Sequence, residues 1–199
     1  MSGVGKTHWS KKLEKKGFKR YCCDEIIEKK LKKYKGIKLK GIKSVAHWLG
    51  QPYEKHHQQN SKQYLSFEKE ALLEIFNRLR QNLKPHEKAV IDTTGSVIYT
   101  GKDVMKTLSQ LSKIIYLEIP NEVKKIMYKK YLQDPKPVIW GDKYQKTNGE
   151  TDRKALVRCY QNLLNYRINK YHRHACLTLD YYLLRQPDFT IDKFIQAID

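Results

Sequence analysis

The chain has 199 residues, of which 40% are hydrophobic and 31% are charged, and this composition predicts one folded domain rather than a disordered chain. Lys and Arg number 40 against 21 Asp and Glu, a formal net charge of +19, which favours either anionic partners or helix surfaces that simply carry many solvated lysines. No apolar run could span a bilayer, the N-terminus lacks a signal-peptide pattern, and the four cysteines lack zinc or disulfide spacing, so we expect a cytoplasmic protein with reduced thiols that binds no membrane.

The first half of the chain predicts helices around one short strand. Gly17 stops the first helical pattern and Pro85 closes the last one. We expect, in chain order, a helix over residues 6–16, a strand over 18–23, a helix from residue 24, an irregular or partly helical insertion over 35–61 and a long helix over 62–83.

The second half alternates short β-branched runs with helical patterns. The polar segment 133–150, which contains Pro135, Pro137 and Gly141, predicts a mobile loop. We expect strands over residues 88–93, 113–119 and 175–180, and helices over 104–111, 121–132, 152–172 and 190–198. Strands that alternate with helices predict an α/β fold: a doubly wound, mainly parallel sheet with helices on both faces, in a single domain over residues 1–199.

The first seven residues, M-S-G-V-G-K-T, match the phosphate-binding pattern G-x-x-x-x-G-K-[ST] from its second position onward. In that pattern backbone N–H groups at a helix N-terminus cradle phosphates, the Lys reaches the β and γ phosphates, and the hydroxyl binds Mg²⁺. The alternative is a glycine-containing tail before a Lys-rich helix. We predict ATP and Mg²⁺ as cofactors, with Thr7 as a metal ligand and the nucleotide bound by Gly3, Val4, Gly5, Lys6, Thr7 and His8.

The phosphate-binding pattern normally follows a buried central strand. Nothing precedes Met1 here, so we expect the first strand of the sheet to be missing from this chain and to be encoded directly upstream. Without it, the 199-residue form is expected to bind nucleotide weakly or to be inactive, and to be less stable.

A second motif follows the first predicted strand. The segment Cys22–Glu28 reads C-C-D-E-I-I-E, and together with the phosphate loop it resembles the shikimate kinase family of P-loop small-molecule kinases, whose D-x-D-x-x-I-E element it keeps except for the first Asp. The resemblance implies that Asp24 is the carboxylate that orients or deprotonates the acceptor hydroxyl. The alternative is that Asp24 only caps a helix.

The resemblance also implies a substrate-binding insertion over about residues 24–83. Aligning the family's F-R-x-x-E element on Glu68 puts Tyr64 at the aromatic position but Leu65 in place of the Arg, so a carboxylate clamp is lost and shikimate becomes a doubtful substrate. A glycine-rich strand end reads D-T-T-G-S, in which Gly95 would approach the substrate and Asp92 would reach Mg²⁺ through water. The alternative is a plain strand-ending turn.

A lid is implied over about residues 133–152. The family's R-P-L-L element becomes K-P-V-I, which makes Lys136 the catalytic lid cation, with Arg153 and Arg158 as alternatives or ordinary solvated residues. On the terminal helix, Arg167 falls where the family places a substrate-binding Arg. A common Arg-containing amphipathic helix is the alternative.

We therefore predict an ATP-dependent phosphotransferase that moves the γ-phosphoryl group to a hydroxyl of a small molecule. The protein is expected to be monomeric. Two alternatives remain: a nucleotide or polynucleotide kinase that holds a nucleic-acid end with Trp48, Tyr53 and Tyr64, and a nucleic-acid-binding protein with a vestigial phosphate loop. Nucleic acid is a partner that the charge allows but that we do not favour.

Overall fold

Helices and short strands alternate along the chain in the computed structural model, which describes residues 3–35, 40–82, 84, 86–134 and 136–199. The helices are α1 (Lys6–Lys15), α2 (Cys23–Lys35), α3 (Gly41–Leu49), α4 (His57–Asn82), α5 (Lys102–Leu111), α6 (Asn121–Gln133), α7 (Asp152–His174) and α8 (Ile191–Ile198). The strands are β1 (Lys19–Cys22), β2 (Ala89–Asp92), β3 (Ile115–Leu117) and β4 (Leu177–Leu179), with short 3₁₀ turns at Val97–Tyr99 and Leu183–Arg185.

Every predicted strand and helix has a counterpart within a few residues, except in the insertion. There α3 forms in a segment predicted as irregular or partly helical, and α4 begins at His57 rather than at residue 62. The predictions that concern Met1, Ser2, Pro85 and Pro135 lie outside the described residues.

Side-chain contacts between α3 and α4 explain the early start of α4. The His57 ring nitrogen Nδ1 lies 3.0 Å from the carbonyl oxygen of Gly50, and Asn60 Nδ2 donates to the carbonyl of Trp48 at 2.6 Å. These contacts satisfy carbonyls at the end of α3 that no helical partner reaches. Tertiary contacts therefore fix the start of α4, and the local hydrophobic spacing does not predict them.

The described strands form two separate parallel pairs. β1 pairs with β2, and β3 pairs with β4. Both pairs have the parallel direction that the sequence predicts, whereas one continuous doubly wound sheet stays a prediction. A cavity of about 580 Å³ lies between the pairs, lined by the whole of β2 and β3. We call it the interstrand slot.

Helices cover the interstrand slot from two sides. On one side α1 and α8 pack together, with the Trp9 ring stacked on Phe194 at 4.6 Å between centroids. On the other side α4 packs on α5 through a cluster that includes Phe76 and Leu108. A third cluster joins α2, α3 and α4. Among the helices described, none combines the length and the apolar character needed to cross a membrane.

Candidate active site

A second cavity, of about 310 Å³, lies where five parts of the chain meet: the glycine loop before α1, the start of α2, the loop after β2, the lid and α7. We call it the central cavity. Nine of the residues that the sequence predicts as site residues line it: Gly3, Gly5, Lys6, Thr7, His8, Asp24, Gly95, Lys136 and Arg167. The structure therefore brings together side chains up to 164 positions apart in the chain (from residue 3 to residue 167).

The glycine loop has the backbone geometry of an anion-binding turn. Gly3 and Gly5 adopt φ angles of 79° and 109°, which side chains disfavour, and α1 begins directly after them at Lys6. The first turn of α1 holds no acidic residue, and within the described chain no side chain caps it. Its N–H groups and the positive end of the helix dipole therefore lie at the end of α1 that borders the central cavity. An anion in the cavity would be stabilised there.

Val4 differs from its neighbours in the loop. Its side chain is buried in the hydrophobic core with Trp9 and lines the interstrand slot, not the central cavity. The predicted nucleotide contact of Val4 would therefore have to come from its backbone. The buried side chain anchors the loop to the core.

Asp24 lies inside the first turn of α2, two residues after the end of β1. It is thus not at the cap position that the alternative interpretation assumed. Tyr64 of α4 donates its hydroxyl to Asp24 Oδ1 at 3.4 Å. Burial raises the pKa of Asp24, and the nearby charge of Lys6 partly opposes that rise. The site therefore pairs a partly desolvated carboxylate with a lysine of the glycine loop.

Glu68 of α4 forms hydrogen bonds with the loop after β2. Its carboxylate is fully buried on α4 and accepts hydrogen bonds from Ser96 Oγ at 2.6 Å and from Thr94 Oγ1. Burial is the main cause that raises the pKa of Glu68 to about 7. On the other side of the same loop, the Tyr171 hydroxyl donates to the carbonyl of Gly95. Gly95 is thus held by Tyr171 and lies between Thr94 and Ser96, the two residues that Glu68 holds.

Arg167 connects α7 to the lid. It is buried, and its Nη2 donates to the carbonyl of Ile139 at 2.6 Å while the guanidinium lies 5.6 Å from the centre of the Tyr99 ring. Its Nε has no hydrogen-bond partner in the described part of the chain. A buried cation at the cavity wall with an unsatisfied donor favours an anionic or polar ligand.

Lys136 is the predicted lid cation that lines the central cavity, whereas Arg153 and Arg158 do not line it. Its Nζ pairs with Asp134 at 2.8 Å, and Asp134 also pairs with Lys43 of α3 at 2.9 Å. The two lysines lower the pKa of Asp134 to about 2. Arg158 lies on α7 and pairs with Glu150 at 2.7 Å.

Asp92 ends β2 and lines the interstrand slot rather than the central cavity. Its Oδ2 accepts from Ser10 Oγ at 3.1 Å and pairs with Arg20 at 3.4 Å, and its Oδ1 has no partner among the described residues. The described chain holds no cluster of three or more His, Cys, Asp and Glu side chains that could bind a metal alone. Mg²⁺ held mainly by phosphates needs only one or two protein ligands, so the predicted roles of Thr7 and Asp92 remain predictions.

Sequence reasoning missed the hydrogen bonds of Glu68 and the Arg20–Asp92 ion pair. A signal for Glu68 existed, because it lies one helical turn after Tyr64 and next to Ala71 and Leu72 on the buried face of α4. A carboxylate on such a face must find buried partners. The pairing of Arg20 with Asp92 depends on β1 and β2 being neighbours, which the local sequence does not state.

No protein-family model matches the chain, and no curated protein matches its sequence. The resemblance to the shikimate kinase family therefore rests on the motifs given above and stays a prediction.

Proposed function

We propose that the protein is an ATP-dependent phosphotransferase that moves the γ-phosphoryl group of ATP to a hydroxyl of a small molecule. One observation carries the proposal: the glycine loop with Lys6, the carboxylate of Asp24 and the cations Lys136 and Arg167 line the same cavity. Phosphoryl transfer needs a phosphate cradle, a group that orients the hydroxyl and positive charge at the transferring group. These residues supply all three.

The residues divide into two groups by role. The N–H groups of the first turn of α1 and the Lys6 ammonium hold the β and γ phosphates, and the Thr7 hydroxyl is the candidate Mg²⁺ ligand. Bound MgATP supplies the phosphoryl group, and the metal offsets its negative charge. Asp24 accepts a hydrogen bond from the acceptor hydroxyl and takes its proton as the phosphoryl group is transferred.

The volume of the central cavity favours a small molecule as the acceptor. This volume of about 310 Å³ lies at the lower end of the range for ligand sites. Leu65 packs on the cluster formed by α2, α3 and α4 and does not line the cavity, so position 65 does not decide whether a carboxylate binds there. Arg167 lines the cavity and binds the polar end of the acceptor. That shikimate is a poor substrate stays a prediction from the sequence.

The test is an assay of ATP consumption against small polyols, hydroxy acids, nucleosides and short oligonucleotides. Lys6→Ala should lower turnover with the best acceptor by about 100-fold or more, as expected for removal of one group that stabilises transition-state charge. Lys11→Ala is the matched control, because Lys11 is an exposed lysine on the same helix that lines neither cavity. Circular dichroism should show the same fold for all three proteins.

Two outcomes would contradict the proposal. Equal turnover in Lys6→Ala and Lys11→Ala would remove the glycine loop from the reaction. Salt-dependent binding of oligonucleotides without ATP consumption would instead favour a nucleic-acid-binding protein, because such binding follows the release of counterions rather than a chemical step.

A further inference from the structure

The hydroxyl of Tyr64 is a polar group at the wall of the central cavity. Tyr64 lies on α4, is 2% exposed and lines the cavity. Its ring belongs to the buried cluster that also holds Ile27 and Leu31 of α2, and the first turn of α2 carries Asp24. Packing of α4 on α2 therefore places the Tyr64 hydroxyl beside the Asp24 carboxylate.

The Tyr64 hydroxyl holds one oxygen of Asp24. It donates to Asp24 Oδ1 at 3.4 Å, and Asp24 makes no other side-chain hydrogen bond within the described part of the chain. The F-R-x-x-E element has Phe at this position, which carries no hydroxyl, so the contact is a property of this chain and not of the resemblance. A hydrogen bond to a carboxylate favours its charged form. The second oxygen, Oδ2, is left for an acceptor hydroxyl.

The charged groups around Asp24 show why such a donor matters. Burial raises the pKa of Asp24, and the charge of Lys6 opposes that rise. The charge of Asp92 raises the pKa further, whereas the hydrogen bond from Tyr64 lowers it. Three more titratable groups lie close enough to interact with Asp24: Cys22, Cys23 and Glu68. Bound nucleotide phosphates would add negative charge beside Lys6, and the neutral hydroxyl of Tyr64 would still favour the anion.

We propose that Tyr64 is a positioning residue that holds Oδ1 and keeps Asp24 ionised, so that Oδ2 takes the proton of the acceptor hydroxyl. The acceptor oxygen forms its bond to the γ phosphorus while the bond from that phosphorus to the leaving oxygen of ADP breaks, and the hydroxyl proton moves to Oδ2. Tyr64 keeps its own proton, because burial raises its pKa well above the ordinary value. This proposal rests on the proposed phosphotransferase function.

The first test measures the Asp24 carboxyl directly and needs no activity. Tyr64→Phe removes the hydroxyl and keeps the ring. Tyr131→Phe is the matched control, because Tyr131 is also buried and donates its hydroxyl to Gln51 Oε1 at 2.7 Å but does not line the central cavity. Carbon-13 NMR follows the titration without nucleotide, and the Asp24 signal is identified by its loss in Asp24→Asn. Circular dichroism should show the same fold for all the variants.

The titration midpoint of Asp24 should rise by about one pH unit in Tyr64→Phe, the size expected when one hydrogen bond to a charged group is lost. It should stay unchanged in Tyr131→Phe. In the assay of ATP consumption with the best acceptor, the acid limb of the kcat profile should move to higher pH by a similar amount in Tyr64→Phe only, because protonated Asp24 cannot take the acceptor proton. KM for ATP should not change.

Two results would overturn the proposal. Equal Asp24 midpoints in the unchanged protein and in Tyr64→Phe would show that the hydroxyl does not favour the anion, whatever the kinase assay gives. A raised midpoint without a shift of the acid limb would leave Tyr64 as a structural residue only. A raised midpoint in a protein that consumes no ATP with any acceptor would support the contact between Tyr64 and Asp24 and would contradict the proposed function instead.

Discussion

Glu68 combines complete burial with two hydroxyl donors, and this makes it a pH-dependent element of the site. Its pKa is raised from 4.5 to about 7, because burial and the charge of Asp24 outweigh the hydroxyl donors and the charge of Arg167. The folded state then binds a proton more tightly than the unfolded state does. The stabilisation from this proton is complete below about pH 4.5 and is lost as the pH rises through 7.

We expect Glu68→Gln to remove this pH dependence. Between pH 5 and 8, the free energy of unfolding of the unchanged protein should fall relative to that of the variant, by on the order of 3 kcal/mol at most. Urea unfolding at four pH values measures the difference. Glu70→Gln is the control, because Glu70 is exposed on the same helix, where it pairs with Lys30 and accepts a hydrogen bond from Ser66. If the free energy of unfolding of both variants changed with pH in the same way, the role of Glu68 would be contradicted.

The substitution Asp24→Asn separates the effect of the negative charge of Asp24 from the effect of its size and shape. The amide keeps the size of the side chain but cannot take a proton from the acceptor, so kcat should fall by about 100-fold or more while KM changes little. Steady-state kinetics measures both constants. Glu25→Gln changes the neighbouring carboxylate, which is 60% exposed, and should leave kcat unchanged. Full kcat in Asp24→Asn would leave Asp24 as a residue of the first helical turn only.

Local motifs predicted the site residues that lie close together in the chain, and tertiary contacts decide the others. Gly3, Gly5 and Lys6 belong to one short pattern, so the sequence alone indicated their shared role. Glu68 and Thr94 are 26 positions apart, and their contact exists only because α4 packs beside the loop after β2. No periodicity or spacing in either segment states that pairing.

At the scale of elements, Asp134 connects the segment 133–152, which the resemblance implies to be a lid, to α3. It pairs with Lys136 at the start of the lid and with Lys43 of α3. We expect Asp134→Asn to release this end of the lid and to increase protease cleavage within residues 136–150 several-fold. Tm should change little, because exposed ion pairs contribute little to stability.

Limited proteolysis with mass spectrometry measures the cleavage sites. Asp142→Asn is the control, since Asp142 also lies in the lid but pairs with its neighbour Lys143. Because the pKa of Asp134 is about 2, the difference between the two variants should be the same at pH 5 and pH 8. Equal cleavage of both variants would show that Asp134 does not hold the lid.

Helices long enough to show the helical spacing over many turns could be predicted from the sequence. The short helix α3 depended on contacts with its neighbours. The helical spacing that predicted α4 and α7 spans many turns. α3 has nine residues, Gly41–Leu49, too few for a stable helix in isolation. It is stable because Val45 and Leu49 are buried in the same cluster as Phe67 of α4.

For the whole molecule, the space between the two strand pairs separates what could be predicted from what could not. The interstrand slot has a volume of about 580 Å³ and is lined by β2 and β3. The alternation of strands and helices predicted parallel strands in one sheet, and the described strands form two parallel pairs. It does not say what fills the space between them, and for that reason the single sheet remains a prediction.

The net charge of +19 leads to the last prediction. Repulsion among so many cations destabilises the compact state, and salt screens it over about 8 Å at 0.15 M and about 3 Å at 1 M. Sodium chloride should therefore raise Tm gradually. Sulfate at equal ionic strength should add a saturable rise at low concentration, because an anion that binds the native state at the glycine loop stabilises it by mass action.

Lys6→Ala distinguishes this specific binding from screening. The variant should keep the gradual rise, to which the exclusion of sulfate from the protein surface contributes without saturating, and should lose the saturable part. Lys11→Ala should keep both parts, since Lys11 is exposed and lies outside the central cavity. Differential scanning fluorimetry over a sulfate titration measures the two components. If the saturable rise survived in Lys6→Ala, the anion would bind elsewhere on the basic surface, and the glycine loop would lose its support as a phosphate cradle.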